Sequence, residues 1–303
     1  MDIKKRIIEK IKYELGITKI ERENESIHFL FNNCIDITKI PPTKDPDLRI
    51  LQKCDALLLA IFDKLCQKYG LAYWLHWGTL LGAYRHKGFI PWDNDVDIAM
   101  PREDINKVIP LMKKDLNSYG ISVEPSRMHP LRGLVLSYLE KEAGLWIDIF
   151  PLDVCTTNDE VNKIYSAMLT YRHFFWENSR MSEDQLMNKK AEILSTCPNG
   201  NIKYYLPAME VRKGVTECTA YLDSDIFPLK KMKFEEYELS VPSKPHEFLR
   251  KSYGSDYMDF PRYAINNHGQ AESFANRAKA NGIDMNEVYE YLRSIYDKLS
   301  MEI

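Results

Sequence analysis

Apolar residues recur at helical spacing through Ile50, Leu51, Cys54, Leu57, Leu58, Ile61, Phe62 and Leu65, forming one continuous stripe. Asp45 is a good N-cap ahead of it, Pro46 suits the first helical position and Gly70 can close the far end, so the pattern predicts a helix over 46–69. Leu71 to Trp77 is a short apolar, aromatic run that reads as a strand. Gly78-Thr79 breaks it, and Thr79 to His86 reads as a short helix. Val96 to Met100 predicts another strand, and Pro101 opens a helix with Ile105, Val108, Ile109, Met112 and Leu116 on one face. Further strands are predicted over 121–124, 134–140 and 144–152. Thr157-x-x-Glu160 reads as a capping box opening a helix through Tyr165, Met168, Leu169 and Tyr171, and Asp284-x-x-Glu287 as a second one opening a final helix. Residues 233–241 alternate toward Pro242 and predict an edge strand. Residues 179–220 are too weakly patterned to assign. Strands mixed with helices predict an α/β or α+β fold.

Length and charge narrow this picture. The 303 residues correspond to about two domains or one large one. The segment 41–48 (PPTKDPDL) marks a boundary, giving an N-terminal helical extension over 1–45, a catalytic domain over 46–265 and C-terminal helices over 266–303. With 45% apolar and 28% charged residues, a disordered or fibrous chain is excluded. A net charge of −3 provides no global basic field to recruit nucleic acid. The longest apolar run, Ala56 to Phe62, is far short of the roughly 20 residues that span a bilayer. The first 15 residues show no apolar signal region, so the expected location is the cytoplasm. Residues 1–20 carry a net +3 with Ile3, Ile7, Ile8, Ile11 and Leu15 at helical spacing. Such a basic amphipathic helix packs on its own domain or lies on the inner face of an anionic membrane. The six cysteines are scattered without CxxC spacing and read as free thiols, the alternative being a zinc site from Cys155, Cys197 and Cys218.

The informative chemistry lies between Trp77 and Asp104. Asp95 and Asp97 are two apart on a predicted strand and so share a face, with Val96 and Ile98 turned into the core. Like charges side by side repel, and a cation between them resolves the conflict. Oxygen ligands alone select a hard cation, Mg²⁺ or Mn²⁺. Asp148 stands in a similar setting, opposite Ile147 and Ile149 in an apolar strand, where a lone carboxylate is costly without charged partners. Two neighbouring strands presenting three carboxylates would hold metal across a phosphoryl group. Gly78-Thr79, ahead of a helix, suits a phosphate-binding turn, and Arg85, His86 and Lys87 add positive charge. Trp74, Trp77 and Trp92 fall in the same stretch and offer faces on which a base, a sugar or a choline cation can stack. A calcium loop from Asp93-x-Asp95-x-Asp97 is the rival, but Ile98 occupies the position where its turn needs Gly.

The stretch LHWGTLLGAYRHKGFIPWDNDVDIAMPRED (75–104) resembles the signature of the LicD family, which includes fukutin and fukutin-related protein. WIDIFPLD (146–153) and KFEEYELSVPSKPHEFLRKSYGSDYMDFP (233–261) extend the resemblance in the same order. It implies an α+β, nucleotidyltransferase-like fold of the polymerase-β type with a central sheet flanked by helices. It also implies transfer of a phosphorylated alcohol, such as phosphocholine or ribitol phosphate, from a CDP-alcohol donor to a sugar hydroxyl of a glycan or lipid-linked acceptor, with CMP released. On this resemblance Asp95 and Asp97 are the metal-binding pair, Asp148 is the third carboxylate, and Gly78 and Thr79 match the phosphate turn. Arg85 and His86 lie in the matching RHxGFIPWD run. Asp148 or Asp93 would take the hydroxyl proton. Asn94 stands where many members have Asp, and in an extended segment it points away from Asp93 and Asp95, leaving the metal pair untouched. Nucleotidyl transfer with pyrophosphate release, and a metal-stabilised binding module without catalysis, are the alternatives.

Overall fold

The first long helix shows how closely local chemistry sets the chain's course. The Asp45 carboxylate accepts hydrogen bonds from the backbone N–H groups of Asp47 and Leu48 at 3.0 and 3.2 Å, Pro46 occupies the first turn, and Gly70 closes the helix in the left-handed conformation. The computed structural model describes residues 3–139, 142, 144–158, 161–197, 199–210, 219–261 and 271–302.

Along the chain, α1 (Ile3–Glu14) and α2 (Ile17–Cys34) precede α3 (Pro46–Tyr69). The short β1 (Trp74–Leu75) leads into α4 (Trp77–His86), then β2 (Asp97–Pro101), α5 (Arg102–Ser118), β3 (Ser122–Pro125), β4 (Leu134–Tyr138) and the long β5 (Leu145–Thr157). Next come α6 (Val161–Asn178), α7 (Glu183–Leu194), β6 (Ile202–Pro207), β7 (Tyr221–Leu222) and α8 (Asp223–Ile226). The hairpin β8 (Lys230–Phe234) and β9 (Tyr237–Val241) is followed by α9 (Pro245–Tyr253), α10 (Ala271–Ala280) and α11 (Met285–Glu302).

The central sheet runs β1-β2-β5-β4-β3, and the far half of β5 pairs with β6, which pairs with β7. Among the described residues, only β2 and β5 pair in parallel, and the other pairings of this sheet are antiparallel. The fold is α+β with a mixed sheet flanked by helices. Alternation along β5 divides its faces: Leu145, Ile147 and Ile149 are buried, whereas Trp146, Asp148 and Phe150 are half-exposed. The buried side joins α3, α5 and α11 in one core. A second core forms between α6 and α7 around Ile164, Met168, Phe175 and Leu186, filling the stretch that the apolar pattern left unassigned.

Several expectations are corrected. The strand expected over 71–77 shrinks to two residues because the helix begins at Trp77, whose φ of 39° turns the chain sharply. β2 begins at Asp97, so Asp95 precedes the strand in an extended loop. Thr157 is the last residue of β5 and not a helix cap, its hydroxyl buried without a hydrogen-bond partner, and Glu160 lies outside the described residues. The operative capping box is Ser182 with Gln185, at the start of α7. The edge strand expected over 233–241 is a two-stranded hairpin with its turn at Glu235. The single N-terminal helix is two helices broken at left-handed Gly16. Trp74 is fully buried against Tyr205 and Phe227, so it belongs to the core and not to a stacking surface.

A buried ionic cluster joins the two cores. Arg102 of α5 donates to Asp153 of β5 and to Glu210, while Lys190 of α7 donates to the same two carboxylates. Tyr171 of α6 donates to Glu210 at 2.9 Å. Burial alone would raise the Asp153 pKa, but the charges of Arg102 and Lys190 outweigh it and hold the carboxyl well below its ordinary range. The last Asp of WIDIFPLD is therefore an architectural residue.

Candidate active site

Asp97 and Asp148 face each other directly across the parallel β2–β5 pair. The backbone N–H of Asp148 donates to the Val96 carbonyl at 2.9 Å, which fixes this register. Asp97 is held from the other side as well: its N–H donates to Thr79 Oγ1 at 2.8 Å, and its carbonyl accepts from His76 N–H at 3.0 Å. The expected juxtaposition of two carboxylates from neighbouring strands is thus present, while Asp95 reaches the site from the loop before β2.

Asp93 and Asp95 form a second pair. The Asp93 carboxyl is pushed up to about 8 by burial, by the charge of Asp95 and by a hydrogen bond between the two side chains. The Asp93 carboxylate also lies against Gly78. A Cβ on that glycine would come within 2.8 Å of Asp93 Oδ2, so the missing side chain makes room for Asp93 at the head of α4. Among the described residues no three acidic, His or Cys side chains stand together as a preassembled metal site; the four carboxylates meet as two pairs.

The residues nevertheless suit a cation. Three groups around the cluster have pKa values raised by burial and then by its negative charge. Asp93 is one, and Asp55, fully buried on α3 with Asp95 as its charged neighbour, is another. The third is the Tyr253 phenol at the end of α9, which feels Asp97, Asp93 and Asp95. An all-oxygen set of carboxylates matches a hard divalent ion.

Sequence reasoning missed the support beneath this loop. Gln52 donates from α3 to the Asp93 carbonyl at 2.8 Å, and Asp55, one turn on, accepts from the Trp146 backbone N–H. Both are polar residues within an apolar helical stripe, and that interruption was the available signal. Arg132 was missed too: burial lowers its pKa and the nearby charge of Asp148 opposes the shift. Nothing in its local spacing marks it. Asn94 is buried with its Oδ1 unpartnered.

The remaining predicted site residues hold the site together. Thr79 is buried with its hydroxyl engaged by Asp97. The Arg85 guanidinium is buried, donates to the Tyr257 carbonyl at 3.2 Å and to His86 Nε2 at 2.9 Å, and has its pKa lowered by burial to about 10. It thereby ties α4 to the third sequence block. His86 is pushed down to about 4 by burial and the Arg85 charge. Glu235 completes this tie, accepting from Arg49 and from the Phe89 N–H; its carboxylate fills the space where a side chain on Gly88 would project. Cys155 and Cys197 are free thiols, and Cys218 of the expected zinc set lies outside the described residues.

An aromatic wall borders the carboxylates. Trp77 stacks on His76 at 4.7 Å and meets Phe150 at 4.5 Å, and Phe150 follows Asp148 on the same face of β5. His76 is 1% exposed, both ring nitrogens lack hydrogen-bond partners, and burial pushes its pKa down to about 3. Since the unfolded chain takes up this proton near pH 6.5, stability is complete above that value and falls as pH drops toward 3. Urea unfolding at pH 7.5 and 5.5 is expected to show a loss of about 1.4 kcal/mol from His76, absent in His76→Phe.

Comparison with known proteins finds relatives over the stretch that carries these carboxylates. The family model described as LicD/FKTN/FKRP, nucleotidyltransferase domain, matches residues 70–194. The lipopolysaccharide cholinephosphotransferase LicD of Haemophilus influenzae is 24% identical over 237 residues, covering 67% of this chain and 88% of that protein. The ribitol 5-phosphate transferase FKRP of Mus musculus and of Homo sapiens is 56% identical over 36 residues, which is 12% of this chain and 7% of theirs. The matched residues 70–194 run from just before β1 to the end of α7, so it is this stretch, with Asp97 and Asp148 in it, that is similar to the LicD/FKTN/FKRP nucleotidyltransferase domain.

Proposed function

We propose that this chain is a metal-dependent phosphotransferase. It moves a phosphorylated alcohol, phosphocholine or a polyol phosphate, from a CDP-linked donor to a sugar hydroxyl of a cell-surface glycan or its precursor, and releases CMP. The observation that carries this reading is the facing of Asp97 and Asp148 across β2 and β5, beside the hydrogen-bonded Asp93–Asp95 pair. The two named relatives, a cholinephosphotransferase and a ribitol 5-phosphate transferase, support the class of group transferred.

Asp95, Asp97 and Asp148 are the residues that would hold Mg²⁺ or Mn²⁺. Bound there, the ion neutralises charge on the phosphate oxygens of donor and leaving group. Asp148, on the open face of β5, takes the proton of the attacking sugar hydroxyl. Asp93 is less suited to that role, because burial and the neighbouring Asp95 hold its carboxyl pKa up at about 8. Arg132 adds positive charge beside Asp148 for the donor phosphates. The half-exposed rings of Trp77 and Phe150 offer a flat apolar surface for a base or a choline cation.

The products decide between this and nucleotidyl transfer, which needs the same carboxylates. With Mg²⁺ or Mn²⁺ and a sugar acceptor, CMP is expected from CDP-choline or CDP-ribitol. Pyrophosphate from CTP, with no CMP from either CDP-alcohol, would overturn the proposal.

A further inference from the structure

The α1–α2 hairpin presents apolar surface that the rest of the chain leaves uncovered. No residue of the 18-residue α2 is buried, although it carries Ile27 at 50%, Phe29 at 64% and Leu30 at 56% exposure. On α1, Ile8, Ile11 and Tyr13 are open as well, Tyr13 at 76%. A helix of this length with no buried face is marginal in water, and contiguous exposed apolar surface marks an interaction site.

Charge identifies the occupant. Helix α1 carries five basic and two acidic residues, a net +3. Between the helices, a groove of ≈ 660 Å³ is lined by Tyr13, Lys19, Arg22, Glu23 and Ile27, so two cations and one carboxylate border its apolar floor. Helix α2 is itself net −1, and the two helices together keep a net +2, a charge that a second copy would repeat and an anionic bilayer complements. Tyr13 suits the headgroup level. No helix among the described residues is long and apolar enough to cross a membrane, so this hairpin would lie on the surface.

The anchoring of the hairpin gives the contact a purpose. His28 Nε2 bonds the Phe260 carbonyl at 2.8 Å, Asn32 Oδ1 accepts from the Phe260 N–H at 2.6 Å, and Phe31 and Phe260 lie 5.1 Å apart. Phe260 is three residues beyond Tyr257, whose carbonyl Arg85 holds, and seven beyond Tyr253, which feels the carboxylates. The hairpin is fastened to the rim of the active site.

We propose that α1 and α2 dock this protein on an anionic lipid surface and hold the rim of its active site against it. The test is flotation of the full chain with vesicles of phosphatidylcholine alone or mixed with phosphatidylglycerol. Binding is expected only to the mixed vesicles and should weaken as salt rises. Phe29→Asp/Leu30→Asp is expected to reduce partitioning at least about tenfold without moving the melting temperature, because both side chains are exposed. Tyr13→Asp on the other helix should weaken it too. Failure of the unaltered protein to float with anionic vesicles, or equal binding by both variants, would overturn the proposal. So would a dimer in solution that the Phe29/Leu30 variant splits.

Discussion

Asp97→Asn is expected to lower the transfer rate by a factor of about 10²–10³ or more while leaving the protein slightly more stable. The loss follows from removing one of two facing carboxylates that would hold the cation neutralising the reacting phosphates, since a single preorganised electrostatic group is commonly worth that factor. The gain in stability follows from the register. Asp97 and Asp148 are direct neighbours on adjacent strands, and like charges so placed cost up to about 1 kcal/mol. Asparagine keeps the shape, and the bonds that place residue 97, to Thr79 and from His76, are made by its backbone and survive. Thermal melts with and without Mg²⁺ check both halves. The unaltered protein should melt higher with the ion and the variant should respond much less. A variant that retained full turnover would remove Asp97 from the active machinery.

Lys190→Met is expected to destabilise the protein by about 3–5 kcal/mol, the largest single effect on folding foreseen here. Methionine matches the length of the side chain, so packing changes little. What changes is charge: Asp153 and Glu210, both buried, would be left with Arg102 alone. Lys190→Met combined with Glu210→Gln should recover much of the loss, because it restores equal numbers of opposite charges. Denaturant unfolding of the single and double variants measures this coupling directly. If the two losses simply add, the cluster is not acting as a unit.

The contrast between these two sites explains what could be seen in the sequence. Helix α3 was legible to the residue because Asp45, Pro46 and Gly70 act locally. The facing of Asp97 and Asp148 was legible because strand alternation is a strict period of two. Asp95 was misplaced onto the strand because the point where a ladder begins depends on the partner strand, and β5 meets β2 only from Asp97. Gln52 and Asp55 sit on α3 for the sake of a loop some forty residues away, and helical periodicity sees them only as flaws in a stripe. The helices of 161–194 went half-read for a related reason. Their polar residues, Lys190 and Tyr171 among them, face inward to a charge cluster, so the apolar stripe is thin where the packing is dense.

Helix α11 packs along α3, with Val288, Leu292, Ile295 and Leu299 in the same core and Cys54 reaching the Met285 carbonyl at 3.6 Å. The helix that supports the candidate-site loop is therefore completed by a segment far along the chain. During synthesis, at roughly 5–20 residues per second, α3 waits on the order of ten seconds or more with its apolar stripe only partly covered. Closing a loop of such length also slows the final docking. A chain interrupted before α11 would carry all four carboxylates of the candidate site with its founding helix still open, which makes the docking of α11 a checkpoint for assembly.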